Sequence, residues 1–79
     1  MSNIIHIKAF GMVAEKIGTN QLEIENPGST AELKVQLFAR FPELKTIKFS
    51  MALDKKMVQT ELKISSGAEV ALLPPFSGG

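Results

Sequence analysis

The sequence predicts an α+β domain in which a mixed sheet of about five strands packs on one main helix. Three observations point there. Apolar and polar residues alternate at period two in Ile4–Phe10 and Gln21–Glu25. A capped stripe at helical spacing follows, from Ser29 to Phe41, and Pro42 stops it. The elements then run strand, strand, helix, strand, short strand, strand. Several two-layer topologies share that order, and pattern alone does not choose among them.

The first strand, Ile4 to Phe10, places Ile5, Ile7 and Ala9 on one face and His6, Lys8 and Phe10 on the other. Met12 to Ile17 is short and mixed, enough for a turn or two of helix closed by Gly18. Thr19-Asn20 signals a turn. In Gln21–Glu25, Leu22 and Ile24 point inward while Gln21, Glu23 and Glu25 face water. The first two strands are expected to pair antiparallel. Asn26-Pro27-Gly28 ends the second.

Ser29-Thr30-Ala31-Glu32 has the capping-box form, with Ser29 as N-cap and Glu32 reaching back to its amide. Leu33, Leu37 and Phe41 recur every four residues along the helix, and Phe38 widens the stripe. Proline disfavours helical geometry in the residue before it, so the helix stops near Phe41. Phe49 to Leu53 reads as the third strand, with Phe49, Met51 and Leu53 inward. Asp54-Lys55-Lys56 is a polar turn, and Met57-Val58-Gln59 a brief fourth strand. After the turn Ser65-Ser66-Gly67, the last strand runs from Ala68 to Leu73, with Val70 and Leu72 inward and Glu69, Ala71 and Leu73 outward.

Composition narrows the chemistry. The 79 residues are enough for one domain, and 44% hydrophobic content is ordinary for a folded one. Residues 1–73 are expected to form it, with 74–79 as an extended tail. No cysteine is present, which removes disulfides, thiolate metal sites, catalytic thiols and persulfides. One histidine excludes a multi-histidine metal site. Nine basic residues lie among eight acidic ones, too balanced for a strong grip on nucleic acid. No apolar run approaches the roughly 18 residues of a membrane span, and Met1-Ser2-Asn3 lacks the character of a signal peptide. A cytoplasmic location, with no nucleic-acid or membrane partner, is expected.

The ending Pro74-Pro75-Phe76-Ser77-Gly78-Gly79 is unusual. Two prolines fix φ near −65° and remove two amide donors, so they favour a stiff, extended stalk. Two glycines without Cβ atoms suit a narrow channel and close approach to a reactive centre. On these grounds a frayed end and a functional probe remain equal readings.

The chain resembles the small subunit of molybdopterin synthase, a family of β-grasp (ubiquitin-like) sulfur carriers, over nearly its whole length. The stretch Gly67-Ala68-Glu69-Val70-Ala71-Leu72-Leu73-Pro74-Pro75-Phe76-Ser77-Gly78-Gly79 is similar to the family's "GDEVAxxPPxSGG" ending. Phe10-Gly11-Met12-Val13-Ala14-Glu15-Lys16-Ile17-Gly18 is similar to its "FxxxREhxG" segment, and Leu62 to Gly67 also fits. The sequence departs from the pattern at Ala14, where arginine is frequent, and at Ala68, where aspartate is usual. Leu53-Asp54-Lys55 stands in place of a Val-Asn-Gly type turn, and the chain is near neutral where the family tends to be acidic.

The resemblance implies that the carboxylate of Gly79 is converted to an acyl-adenylate by an adenylating enzyme related to ubiquitin activators. ATP and magnesium are consumed by that enzyme, and no cofactor or metal is held by the chain itself. A sulfur donor protein then displaces AMP and leaves a thiocarboxylate. The tail is inserted into the large subunit of molybdopterin synthase, in a two-plus-two assembly, where sulfur passes to cyclic pyranopterin monophosphate to build the dithiolene. General acid–base groups are expected in the large subunit. Gly79 would host the sulfur and Gly78 act as spacer. Pro74 and Pro75 would limit the entropy lost on threading, with Phe76 as anchor and Ser77 bonding partner backbone.

Phe10 and Leu73 fall on outward positions, which suits either scattered surface hydrophobes or, if their strands are neighbours, a docking patch shared with Ala71. In a β-grasp fold those strands are neighbours. His6 is expected to be solvated, Lys55-Lys56 to be a wet turn, and Met12, Met51 and Met57 to fill gaps in the core. Two other functions compete: a sulfur carrier for another product such as the thiazole of thiamine, and a ubiquitin-like modifier joined to lysines through Gly79. Thiazole carriers usually lack the Pro-Pro element and are shorter.

Overall fold

In the computed structural model, which describes residues 3–74, the alternating N-terminal segment forms β1 (Ile4–Ala9) and pairs antiparallel with β2 (Gln21–Glu25). Between them lies α1 (Gly11–Ile17), closed by Gly18 at φ 92°, a left-handed conformation that glycine adopts without penalty. The long helix α2 (Thr30–Arg40) follows, then a 3-10 turn over Pro42–Thr46. Strands β3 (Ser50–Leu53), β4 (Lys56–Met57) and β5 (Glu69–Leu73) complete the chain.

The sheet order is β2-β1-β5-β3-β4. The central pair β1 and β5 is parallel, with Lys8 opposite Ala71 and Ala9 opposite Leu72. β3 runs antiparallel to β5 and to β4. This is the β-grasp arrangement, and it resolves the topology that pattern left open. No helix among the described residues is long and apolar enough to cross a membrane.

The core forms where the inward positions of the strands meet the helical stripe. Ile5, Ile7, Val70 and Leu72 from the sheet are fully buried against Leu33 and Leu37 of α2. Each such side chain contributes about 1.5–3 kcal/mol by leaving water. Phe38 and Phe49 close one side of the core edge to face, their ring centroids 6.1 Å apart.

Several expectations need correction. Leu44, in the 3-10 turn, is fully buried; its segment has no periodicity to betray it. Of the three methionines expected in the core, only Met51 is buried, while Met12 and Met57 are about half exposed. Ala52 is buried although alternation puts it outward; it lies between Met57 and Ala71, and a methyl group needs little cover. The capping box is half formed. Ser29 Oγ accepts from Glu32 N at 3.3 Å, but no return bond to the Ser29 amide appears among the described residues. The backbone here is engaged by the 62–64 segment instead, through Thr30 N to Leu62 O and Ile64 N to Gly28 O.

The polar turn after β3 is a two-residue one. Asp54 and Lys55 both have positive φ, 49° and 72°, which leaves Lys56 to open β4 and ends that strand at Met57. Asp54 is anchored by bonds in both directions with Glu69: its Oδ1 accepts from Glu69 N, and its N donates to Glu69 O. That tie to β5 supplies what an Asn-Gly pair would supply through backbone freedom alone.

Candidate functional site

The candidate site is the end of β5, where it meets Phe10, Gly11 and Pro74. Phe10 follows β1 with an extended backbone (φ −127°, ψ 148°), so the alternation of β1 continues through it. Its side chain therefore shares a face with His6 and Lys8, away from α2. Its amide donates to Leu72 O at 3.1 Å, extending the parallel ladder one step and bringing Phe10 opposite Leu73. Phe10 is 46% exposed, a large unmatched apolar surface, while Ala71, Leu73 and Pro74 are half-buried. Ala71 and the buried Ala52 lie opposite one another and extend the apolar ground toward β3.

Gly11 shapes the root of the tail. It has φ +55°, and a Cβ built there would stand 3.3 Å from Pro74 Cγ. The left-handed turn lets α1 start directly after the ladder, and the missing side chain admits Pro74. Sequence reading noted Gly11 only within a longer similarity. A glycine directly after a strand's last outward aromatic was the available signal.

The other end of the same sheet face is polar. His6 Nδ1 lies 3.3 Å from Glu23 Oε2, and Lys8 Nζ 2.8 Å from Glu69 Oε2. These groups line a shallow hollow of about 390 Å³. The Lys8 ammonium, by hydrogen bond and charge, holds the Glu69 carboxyl below its ordinary value. His6 is solvated as expected, with Glu23 as its neighbour across the strands. Lys55 and Lys56 are exposed.

The structure thus brings Phe10, Leu73 and Pro74 together. Pro75, Phe76, Ser77, Gly78 and Gly79 lie outside the described residues. Ala68, where the resemblance would place aspartate, is buried and donates its amide to Ser65 O. Alanine suits that enclosed position.

Comparison with known proteins agrees with this architecture. The model of the ThiS family matches residues 7–79. Among solved structures, the chain is similar to small archaeal modifier protein 1 from Methanosarcina acetivorans, with a TM-score of 0.82 at 19% identity over 100% of this chain and 99% of that one. A putative molybdopterin converting factor, subunit 1, from Pyrococcus furiosus gives 0.85 at 18% identity, over 95% and 100%. A protein–protein complex of subunits 1 and 2 of molybdopterin-converting factor from Helicobacter pylori contains a chain matching at 0.72 and 20% identity, over 96% and 99%. At these identities the structural matches establish a shared β-grasp fold. With the family match spanning nearly the whole sequence, the chain belongs to the ThiS family of ubiquitin-fold sulfur carriers.

Proposed function

We propose that this carrier serves molybdenum cofactor assembly, as the small subunit of a molybdopterin synthase, with Gly79 as its reactive residue. A carboxylate is a poor electrophile because its charge is delocalised. Adenylation of Gly79 by a ubiquitin-activator-like enzyme, at the expense of ATP, supplies a leaving group. A persulfide of a donor protein attacks the carbonyl carbon and AMP departs with the bonding pair; a second thiol of the donor then cleaves the acyl disulfide, leaving a thiocarboxylate on the carrier and a disulfide on the donor. The large subunit then receives the tail and directs the sulfur to the cyclic pterin phosphate. With no cysteine in the chain, sulfur has no thiol on which to ride as a persulfide, so the terminal carbonyl is its place.

The observation that carries this reading is the apolar patch of Phe10, Ala71 and Leu73 at the point where β5 ends in Pro74. A carrier must dock and present its tail in one event. An apolar surface at the tail's root does both, and Pro74 seated against Gly11 restricts the direction in which the chain departs. The likeness to subunit 1 of molybdopterin-converting factor, one example of which is solved together with subunit 2, supports a large-subunit partner. The Pro-Pro element favours this product over thiamine thiazole. A protein modifier joined through Gly79 would share the activation chemistry, and the likeness to small archaeal modifier protein 1 supports that second reading.

Intact-mass measurement separates the two. After incubation with ATP, an adenylating enzyme and a sulfur source, a carrier gains the mass difference between sulfur and oxygen. A modifier instead appears in higher-mass conjugates in cell extract. Transfer of the labelled sulfur to the pterin, in the presence of the large subunit, is the outcome expected for this chain; conjugates without transfer would overturn it.

A further inference from the structure

A second surface lies at the β3–β4 edge of the sheet, beside α2. β4 covers only part of β3: Lys56 and Met57 pair with Leu53 and Ala52, and Val58 N donates to Met51 O at 2.8 Å. Beyond that bond the edge is open among the described residues. Phe49 continues the side of the strand that faces β4, and it makes no backbone hydrogen bond among the described residues. Beside this open stretch is a groove of about 570 Å³ with Thr30, Lys34, Phe49, Met57, Val58 and Glu61 in its walls. The far wall is braced. Thr30 Oγ1 accepts from Leu62 N at 3.0 Å, and Thr30 N donates to Leu62 O at 2.9 Å. The groove is therefore preformed, as binding clefts usually are.

Its chemistry is specific. Met57 is 49% exposed and Phe49 half-buried, so apolar walls face solvent. Lys34 stands in the wall, and exposed Lys48 and Lys56 adjoin Phe49 and Met57 along the chain. Glu61 is the single acidic residue of the lining. An open strand edge beside apolar walls accepts an extended chain by strand addition. Surplus positive charge at the rim selects acidic side chains on that chain. A symmetric dimer through this edge is disfavoured, because it would bring Lys48 and Lys56 of one copy against the same lysines of the other.

We propose that this groove docks an extended segment of a partner protein in which apolar residues alternate with acidic ones, added as a strand beside Phe49. The surface is independent of the Gly79 chemistry, and a carrier that also meets an activating enzyme and an acceptor has use for a second point of attachment.

The test is titration of the isotope-labelled full chain with an acetylated hexapeptide alternating valine and aspartate, followed by amide NMR, beside the same peptide with lysine for aspartate. The aspartate peptide should shift the amides of Phe49, Met57, Val58 and Lys34 and leave those of Phe10 and His6 in place. The lysine peptide should bind at least about fivefold more weakly, a gap that narrows at high salt. The double variant Lys34→Glu/Lys56→Glu, exposed at both positions and checked for an unchanged spectrum elsewhere, should reverse the preference. Four results overturn the proposal: no shifts at millimolar peptide, equal binding of the two peptides, shifts confined to the surroundings of Phe10, or concentration-dependent shifts of the groove without peptide. The last would identify the occupant as a second copy, for which the acidic β2 edge is the natural complement.

Discussion

Two ends of one sheet face, built on the same two strands, have been finished in opposite ways. At one end His6 meets Glu23 and Lys8 meets Glu69, so these polar groups find partners within the chain. Two residues further along, Phe10 stands beside Leu73, and nearly half of its surface is open to water. Both contacts are exposed, and surface pairs of this kind add little to stability, so the polar end is closed rather than strong. The apolar end holds recoverable energy, about 25 cal/mol for every Å² that a partner removes from water. The difference teaches that burial capacity left unused by the fold lies beside the end of β5, where the proposed function puts docking.

The contrast can be broken most severely at the tail. Removing Gly79, or adding one residue after it, should reduce molybdopterin synthesis to background while the circular dichroism and melting curve stay unchanged. Retained synthesis would leave the carrier mechanism without its reactive group. Next in size is the patch itself. Phe10→Asp or Leu73→Asp should weaken large-subunit binding at least tenfold, about 1.4 kcal/mol, with stability held within about 1 kcal/mol. Unchanged binding together with a collapsed melting temperature would show instead that these side chains belong to the core.

Gly11→Ala tests the seat of Pro74. The left-handed backbone costs a residue with a Cβ about 1–2 kcal/mol, and the new methyl would press on Pro74 Cγ. Denaturant titration should register a loss of that size; an unchanged midpoint would mean that Pro74 yields freely. The smallest effect belongs to the polar end. Lys8→Met should leave large-subunit affinity within about twofold, since rim charges contribute little to affinity. Its stability effect depends on pH with a definite sign. Lys8 depresses the folded-state pKa of Glu69, so the pair's contribution is complete above the unfolded value of about 4.3. It is lost as pH falls through the folded value. The stability gap between wild type and Lys8→Met should narrow on acidification, and a gap that widens would contradict the pairing.

Much of this was legible in the chain. Ile5, Ile7 and Ala9 were assigned inward by alternation alone, and all three are buried. Ser29 caps α2, and Pro42 ends it. What escaped was non-periodic. Leu44 sits in a 3-10 turn whose spacing matches neither helix nor strand, and Met12 and Met57 looked like core because they are apolar, although about half of each is exposed. The candidate site was legible in part for the same reason: the outward parity of Phe10 and Leu73 is a local property, whereas the contact of Gly11 with Pro74 spans most of the chain.

By itself the order of residues determined the elements, their inward faces and the absence of any thiol chemistry, because these depend on neighbours a few positions apart. The pairing of β1 with β5, the seat of Pro74 and the open edge beside Phe49 were decided only when the chain closed. Contacts between residues 60 positions apart arise from the packing of whole elements around one core. No local pattern encodes which strand will find itself beside which.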